Sequence, residues 1–270
     1  MIERAPILTT SGEQRLMWYP KSTCELTEVL CQERRPNLGL ANLPCDTDLI
    51  RSCGDLDLRG YRHELKQIVS IEGDAYLSFY PHELEHLTMI GRDAHLSGYQ
   101  RALPSLATVG RDATLSCYSH ELEQLASIGG DAYLNGYPHD LQKLVSIGGK
   151  TNLRYYEHDL TQLAVIGRDA DLAGYKHSLK QLVVIGGYAG LSGYARELEH
   201  LVLIGGNAYL EGYPHDLQSL ISIGGDAYRR GYDHKTPQLS SVGGVTYSYL
   251  HDGGLTFNDW KSASRTVCGS

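Results

Sequence analysis

The sequence predicts a mainly β protein, a right-handed parallel β-solenoid of about 10–11 coils with a cap at each end. Three observations carry that expectation. The phrase Ile-Gly-Gly-Asp-Ala-Tyr-Leu recurs with its Asp position at 55, 74, 93, 112, 131, 150, 169, 188, 207, 226 and 245, always 19 residues apart and with no insertion. The composition is skewed in the way a repeat skews it, with 30 Gly and 19 Tyr against only 2 Phe. The apolar residues also fall into columns, so each copy buries its apolar side only against its neighbours.

Residues 1–54 precede the repeat and read as an N-terminal cap. They carry Trp18, Tyr19, a helix expected over 24–34 that Ser22 opens with Glu25 three residues later, and a loop with Pro36 and Pro44. The solenoid itself is expected over 55–248. In each coil a small and a large apolar residue alternate, as in Ala75 and Leu77 or Ala208 and Leu210, which is the period-two pattern of a half-buried strand. The next stretch is Leu-x-x-Leu-x-x-Ile, for example Leu84, Leu87 and Ile90. Its spacing of three fits a 3₁₀-like turn or a second short extended segment. Gly-Gly or Gly-Arg then turns the chain. One short strand per coil is the expectation, with a single parallel sheet along one side of a rod about 50 Å long. After 226 the pattern decays, with Arg229 and Ser248 where Leu is usual, and 249–270, with Phe257 and Trp260, reads as a C-terminal cap or tail.

The framework Leu-x-x-Ile-Gly-Gly-x-Ala-x-Leu resembles short leucine-rich repeats, especially the strand-turn unit of receptor L-domain-like solenoids, over about 55–248. That family's usual Asn after the strand is replaced here by Tyr61, Tyr80, Tyr99, Tyr118, Tyr137, Tyr156, Tyr175, Tyr194, Tyr213 and Tyr232. The resemblance implies a solenoid of leucine-rich-repeat type whose sheet recognises another macromolecule. It identifies no partner.

An aromatic column this strict in ten copies points to a structural role for the tyrosines. Two residues beyond each Tyr stands a His column, His63, His82, His120, His139, His158, His177, His215 and His234, with Arg101 and Arg196 at the two exceptions. A ladder offers one imidazole per coil in a line, whereas metal ligation needs three or four donors converging on a point. The arginines favour a hydrogen-bond donor, and the preferred reading is a structural turn role, ahead of pH sensing and metal binding. Lys150-Thr151 after Gly148-Gly149 lacks the first glycine of a phosphate loop, since Leu144 stands there, and reads as drift of the repeat. Of six cysteines, Cys24, Cys31, Cys45 and Cys53 fall in the cap, as reduced thiols, disulfides or a metal site, and Cys117 takes a glycine position of the repeat.

Two variable columns flank the inward Leu of each strand and by alternation point out of the sheet. The candidate binding residues are Tyr76, His95, Tyr133, Asn135, Asn152, Arg154, Asp171, Tyr209, Glu211, Tyr228 and Arg230. Rigid aromatics among small and polar residues make an adaptable recognition surface. No nucleophile, metalloprotease or dinucleotide motif occurs, so the chain is expected to be no enzyme and to need no cofactor. A net charge of -8 argues against direct binding to nucleic acid or to an anionic membrane. The N-terminus lacks a secretory pattern and no apolar run is long enough to span a bilayer, so a cytoplasmic protein is expected. The expected partner is another protein. Alternatives are a carbohydrate stacked on the tyrosines, or an acidic inhibitor that mimics nucleic acid through Asp55, Asp74, Asp93, Asp112, Asp131, Asp169 and Asp226.

Overall fold

The computed structural model describes residues 51–52 and 54–248 together with the strands Ile2–Leu8, Gln14–Pro20 and Asn37–Gly39. The segment expected as a helix over 24–34, the four cap cysteines and residues 249–270 lie outside the described residues. Ile2–Leu8 and Gln14–Pro20 pair antiparallel. From Arg51 onward the chain is a parallel β-solenoid of 19-residue coils, and no helix occurs among the described residues. None is therefore long and apolar enough to cross a membrane.

Each coil holds two short strands where the sequence suggested one. The first sheet has eleven strands, from Arg51–Ser52 through pairs such as Ser127–Ile128 to Ser241–Val242. The second has twelve, from Asn37–Gly39 and Asp55–Asp57 through pairs such as Ala132–Tyr133 to Thr246–Tyr247. Leu-x-x-Leu-x-x-Ile explains the extra strand. Its first two leucines bracket a tight turn, closed by Leu87 N–H on the Leu84 carbonyl at 3.1 Å, and only then does the backbone extend. Thr88 N–H then bonds the Val69 carbonyl and Gly91 N–H the Ile71 carbonyl of the preceding coil, at 2.8 and 2.6 Å. The register never slips: Ser127 faces Ser146, and Ala170 faces Ala189.

Between the two strands the chain turns a corner at Gly-Gly or Gly-Arg. A Cβ on the first of these glycines, for example Gly148, would overlap the carbonyl oxygen of Gly129 directly beneath it. With that atom missing the coils from Gly91 to Gly243 stack at strand spacing, and Glu72 is the described residue that carries a side chain at this position. A second corner follows the second sheet in a left-handed conformation, filled by glycines such as Gly136 at φ 73 and, in two coils, by Phe79 and Cys117 at φ 60 and 61. Cys117 is thus more than a small residue standing in for glycine, because its backbone adopts a region that costs a side-chain-bearing residue about 1 kcal/mol.

The core is built by columns. The Leu, Ile and Ala ladders are buried from Leu56 to Ala227, and the inner tyrosines expose 4% or less. Adjacent inner rings lie nearly parallel with centroids 6.1–6.4 Å apart. A buried phenol needs partners for both its donor and its acceptor. Tyr194 donates to the His177 carbonyl at 3.0 Å and accepts from Leu179 N–H at 3.2 Å, and Tyr118 donates in the same way to the Arg101 carbonyl. Each ring thereby ties its coil to the preceding one. Burial pushes the hydroxyls of Tyr99, Tyr118, Tyr137, Tyr156, Tyr175, Tyr194 and Tyr213 far above the ordinary phenol range, and that of Tyr232 up to about 12.

The His column plays the turn role expected of it. The Nε2 atoms of His82, His139 and His215 meet backbone carbonyls of the preceding coil at 2.7–2.9 Å, and a carbonyl can only accept, so the ring donates. Arg101 and Arg196 make the same bond through Nε at 2.8 Å. Among the described residues no group of three or more His, Cys, Asp or Glu is placed to hold a metal ion.

Candidate functional site

The second sheet carries the candidate surface because its strands alternate sharply. In Ala208-Tyr209-Leu210 the Ala and Leu are buried and the Tyr between them is 38% exposed. The same alternation places Tyr76, His95, Tyr133, Asn152, Asp171, Tyr209 and Tyr228 on the outward side, and Asn135, Arg154, Glu211 and Arg230 stand exposed in the turn that follows. They form three groups.

At the N-terminal end, the Arg59 guanidinium lies 5.0 Å from the centroid of Tyr76, and the other neighbour of that ring is His95, stacked at 4.6 Å with an interplanar angle of 9°. Arg59 also forms a two-toothed pair with Asp57 at 2.9 and 2.7 Å. Burial pushes the Asp57 carboxyl up, but the hydrogen bonds and charge of Arg59 outweigh it and leave the group below the usual carboxylate range. Partial burial and then the neighbouring Asp74 carboxylate raise the Tyr76 hydroxyl above the ordinary phenol range.

The middle of the face is polar. Tyr133 is half exposed, with Asn135 exposed beside it. Asn152 Nδ2 donates to Asp171 at 3.4 Å, and Asn152 Oδ1 accepts from the Arg154 N–H at 3.0 Å. The Arg154 guanidinium turns away over the ring of Tyr155, 5.5 Å from its centroid.

The C-terminal third is aromatic. Tyr209 stacks on Tyr228 at 4.5 Å and 4°, and Tyr228 on Tyr247 at 4.8 Å and 8°. Glu211 and Arg230 flank these rings as an exposed ion pair at 3.8 Å. The array continues one coil further through Tyr188, whose ring meets Tyr209 edge-on at 5.8 Å. Tyr188 stands in the Asp column and was not among the candidates. It reaches the face because Gly190, two residues on, has no side chain: a Cβ there would lie 3.2 Å from the Tyr188 ring. The signal was present in the sequence as two exceptions to the repeat, Tyr for Asp and Gly for an outward side chain, in one coil.

The Asp column next to this face is engaged within the solenoid. Asp74, Asp93, Asp112 and Asp131 each accept, through Oδ1, the backbone N–H of the equivalent residue one coil on at 2.7–3.1 Å. Asn207 and Asp226 do the same. Asp169 is held below the usual carboxylate range first by the Tyr188 N–H, against the effect of burial, and then by Lys150 at 3.2 Å. Thr151 is buried in its strand and Lys150 N–H bonds Asp131, so this pair follows the repeat and forms no phosphate loop.

Spacing along the axis differs across the coil. Equivalent rings are 4.5–4.8 Å apart on the C-terminal face of the second sheet, the spacing of paired strands, but 6.1–6.4 Å apart in the inner tyrosine column.

The chain matches no known family model, no curated protein and no solved structure in comparisons of sequence and fold.

Proposed function

We propose that this chain is a non-catalytic repeat scaffold that binds another protein through the outward face of its second sheet, with Tyr188, Tyr209, Tyr228 and Tyr247 as its aromatic centre. The supporting observation is the way these rings are stacked. Both faces of Tyr228 are covered by its neighbours at 4.5 and 4.8 Å, so the array offers solvent a row of ring edges and hydroxyls. A sugar stacks on an open aromatic face, whereas a protein surface packs against edges and hydrogen-bonds to phenols. The same stacking covers Tyr76, between Arg59 and His95. The acidic-mimic reading loses support because the Asp column satisfies backbone N–H groups of the solenoid. The likeness of the apolar framework to leucine-rich repeats favours the same conclusion.

The test compares the full chain with Tyr209→Ala/Tyr228→Ala as bait for cross-linking in host extract, followed by affinity measurement on the purified partner. Each anchor is expected to contribute about 1–3 kcal/mol, a loss of roughly 5- to 150-fold in affinity per site. A partner held equally by both baits would remove the face from consideration. Binding to a glycan array that the double variant abolishes would favour the carbohydrate reading.

A further inference from the structure

The first sheet has an outward face of a different kind. Two adjacent positions per coil point out of it, Val69 and Ser70 in one coil, Val145 and Ser146 four coils on, Ile221 and Ser222 near the end, and neither column contains a charged residue from Val69 to Ser241. Val145, Val165, Leu203 and Ile221 leave 36–47% of their surface exposed. The other positions are Ala, Ser, Thr and Val, with Met89 near the N-terminal end, and the corner column that borders the face is Gly from Gly91 to Gly243 and Glu72 in the coil before. Arg111 and Arg168 stand beyond that edge, and Gln124 and Gln162 beyond the other. An apolar centre with a polar rim is the anatomy of a protein interface.

We propose that this face pairs with the same face of a second copy of the chain. Three features select that occupant. The chain carries a net charge of -8, so two copies repel over most of their surfaces and approach at least cost where both are neutral. A face that pairs with itself places each residue type near its own kind, which is unfavourable for charges and harmless for Val, Ala and Ser. The strip fits a weak, concentration-dependent pair: ten coils by the two outward residues and the bordering Gly is about 45 Å by about 10 Å, and two such strips bury about 900 Å², at the low end of specific complexes. Two flat parallel sheets then pack face to face at the usual sheet separation of about 10 Å. This face is opposite in character to the aromatic one, so the pairing does not depend on the binding role of the second sheet and leaves that sheet accessible in both copies.

Sedimentation of the full chain across the micromolar range tests the proposal. The expected result is a concentration-dependent mass that levels off at about twice the 29.8 kDa chain. Val165→Glu/Leu203→Glu should remain monomeric and melt like the parent at concentrations where the parent is itself monomeric, and Tyr209→Ala/Tyr228→Ala should dimerise as the parent does. Mixing Val165→Glu/Leu203→Glu with Val165→Lys/Leu203→Lys should give a mixed dimer that neither forms alone. A parent chain that stays monomeric throughout overturns the proposal, as does a doubly acidic variant that still dimerises, a mass that climbs past the dimer, or the absence of the mixed species.

Discussion

Two columns of tyrosine run along this solenoid at the same 19-residue period, and they do opposite things. The inner column is buried, and its rings are stacked with centroids 6.1–6.4 Å apart. Each inner hydroxyl answers a carbonyl of the preceding coil. The outer column is interrupted by other residue types, and where it is continuous its rings are in face contact at 4.5–4.8 Å with their edges in water. Residue type does not separate the two. Position does: the inner Tyr lies just past the corner that follows the second sheet, left-handed in most coils though not at Tyr155, and points into the coil, while the outer Tyr sits between two buried residues of a strand, so the pleat turns it out.

Alkali is expected to separate the columns most strongly. The hydroxyls of eight inner tyrosines, Tyr99 to Tyr232, are raised above the unfolded value of about 10, so above that pH the unfolded chain has released protons that the folded chain retains. Stability is full below pH 10 and is lost as pH rises. Each such ring removes about 1.4 kcal/mol per pH unit, and eight together remove of the order of 10 kcal/mol by pH 11, comparable to the whole stability of a domain. Spectrophotometric titration followed by circular dichroism should show the inner phenols ionising together with unfolding. A smooth single titration with the fold intact at pH 12 would mean the inner hydroxyls are not held as described.

Substitution gives the next largest contrast. Tyr137→Ala should cost about 3–5 kcal/mol, since two neighbouring coils pack on the ring and cannot close the void, and Tyr137→Phe about 1–3 kcal/mol for the orphaned His120 carbonyl. Tyr228→Ala should stay within about 0.5 kcal/mol of the parent. Denaturant melts measure all three, and equal losses at 137 and 228 would erase the distinction between the columns.

The glycines sharpen it further, with smaller effects. Gly148→Ala places a methyl on a backbone carbonyl that cannot yield without parting the coils, a cost of about 3 kcal/mol. Gly190→Ala meets only the Tyr188 ring, which can swing aside, and should change stability by less than about 1 kcal/mol while separating Tyr188 from Tyr209. Thermal melts rank the two, and the reverse order would show that the corner is looser than its geometry implies.

Much of this was legible in the columns. Inward Leu, Ile and Ala were readable because a fixed period repeats the same burial in every coil, and the Arg exceptions in the His column disclosed a donor role before any bond was seen. The second strand stood as one of two readings of the Leu-x-x-Leu-x-x-Ile stretch, because Ser-Ile or Val-Ile is too short to show alternation beside leucines spaced by three. The apolar face of the first sheet went unnoticed for the same reason: with that strand unsettled, Val145 and Val165 had no face to belong to. Tyr188 was obscured by its column, since a residue replacing a buried-edge Asp is expected to stay at that edge unless its neighbour makes room.

By itself the sequence determined the parallel coil, its 19-residue length, the inward ladders and the absence of insertions, since a strict period leaves stacking as the way to bury every copy's apolar side. Only the tertiary structure decided what the polar columns do. Whether the Asp line faces a partner or the next coil's N–H, whether a Tyr offers its face or its edge, and whether a Gly admits a ring or a carbonyl all depend on atoms one coil away. Those distances are set by how 19 residues close into a turn, a property of the packed backbone that no single copy of the repeat contains.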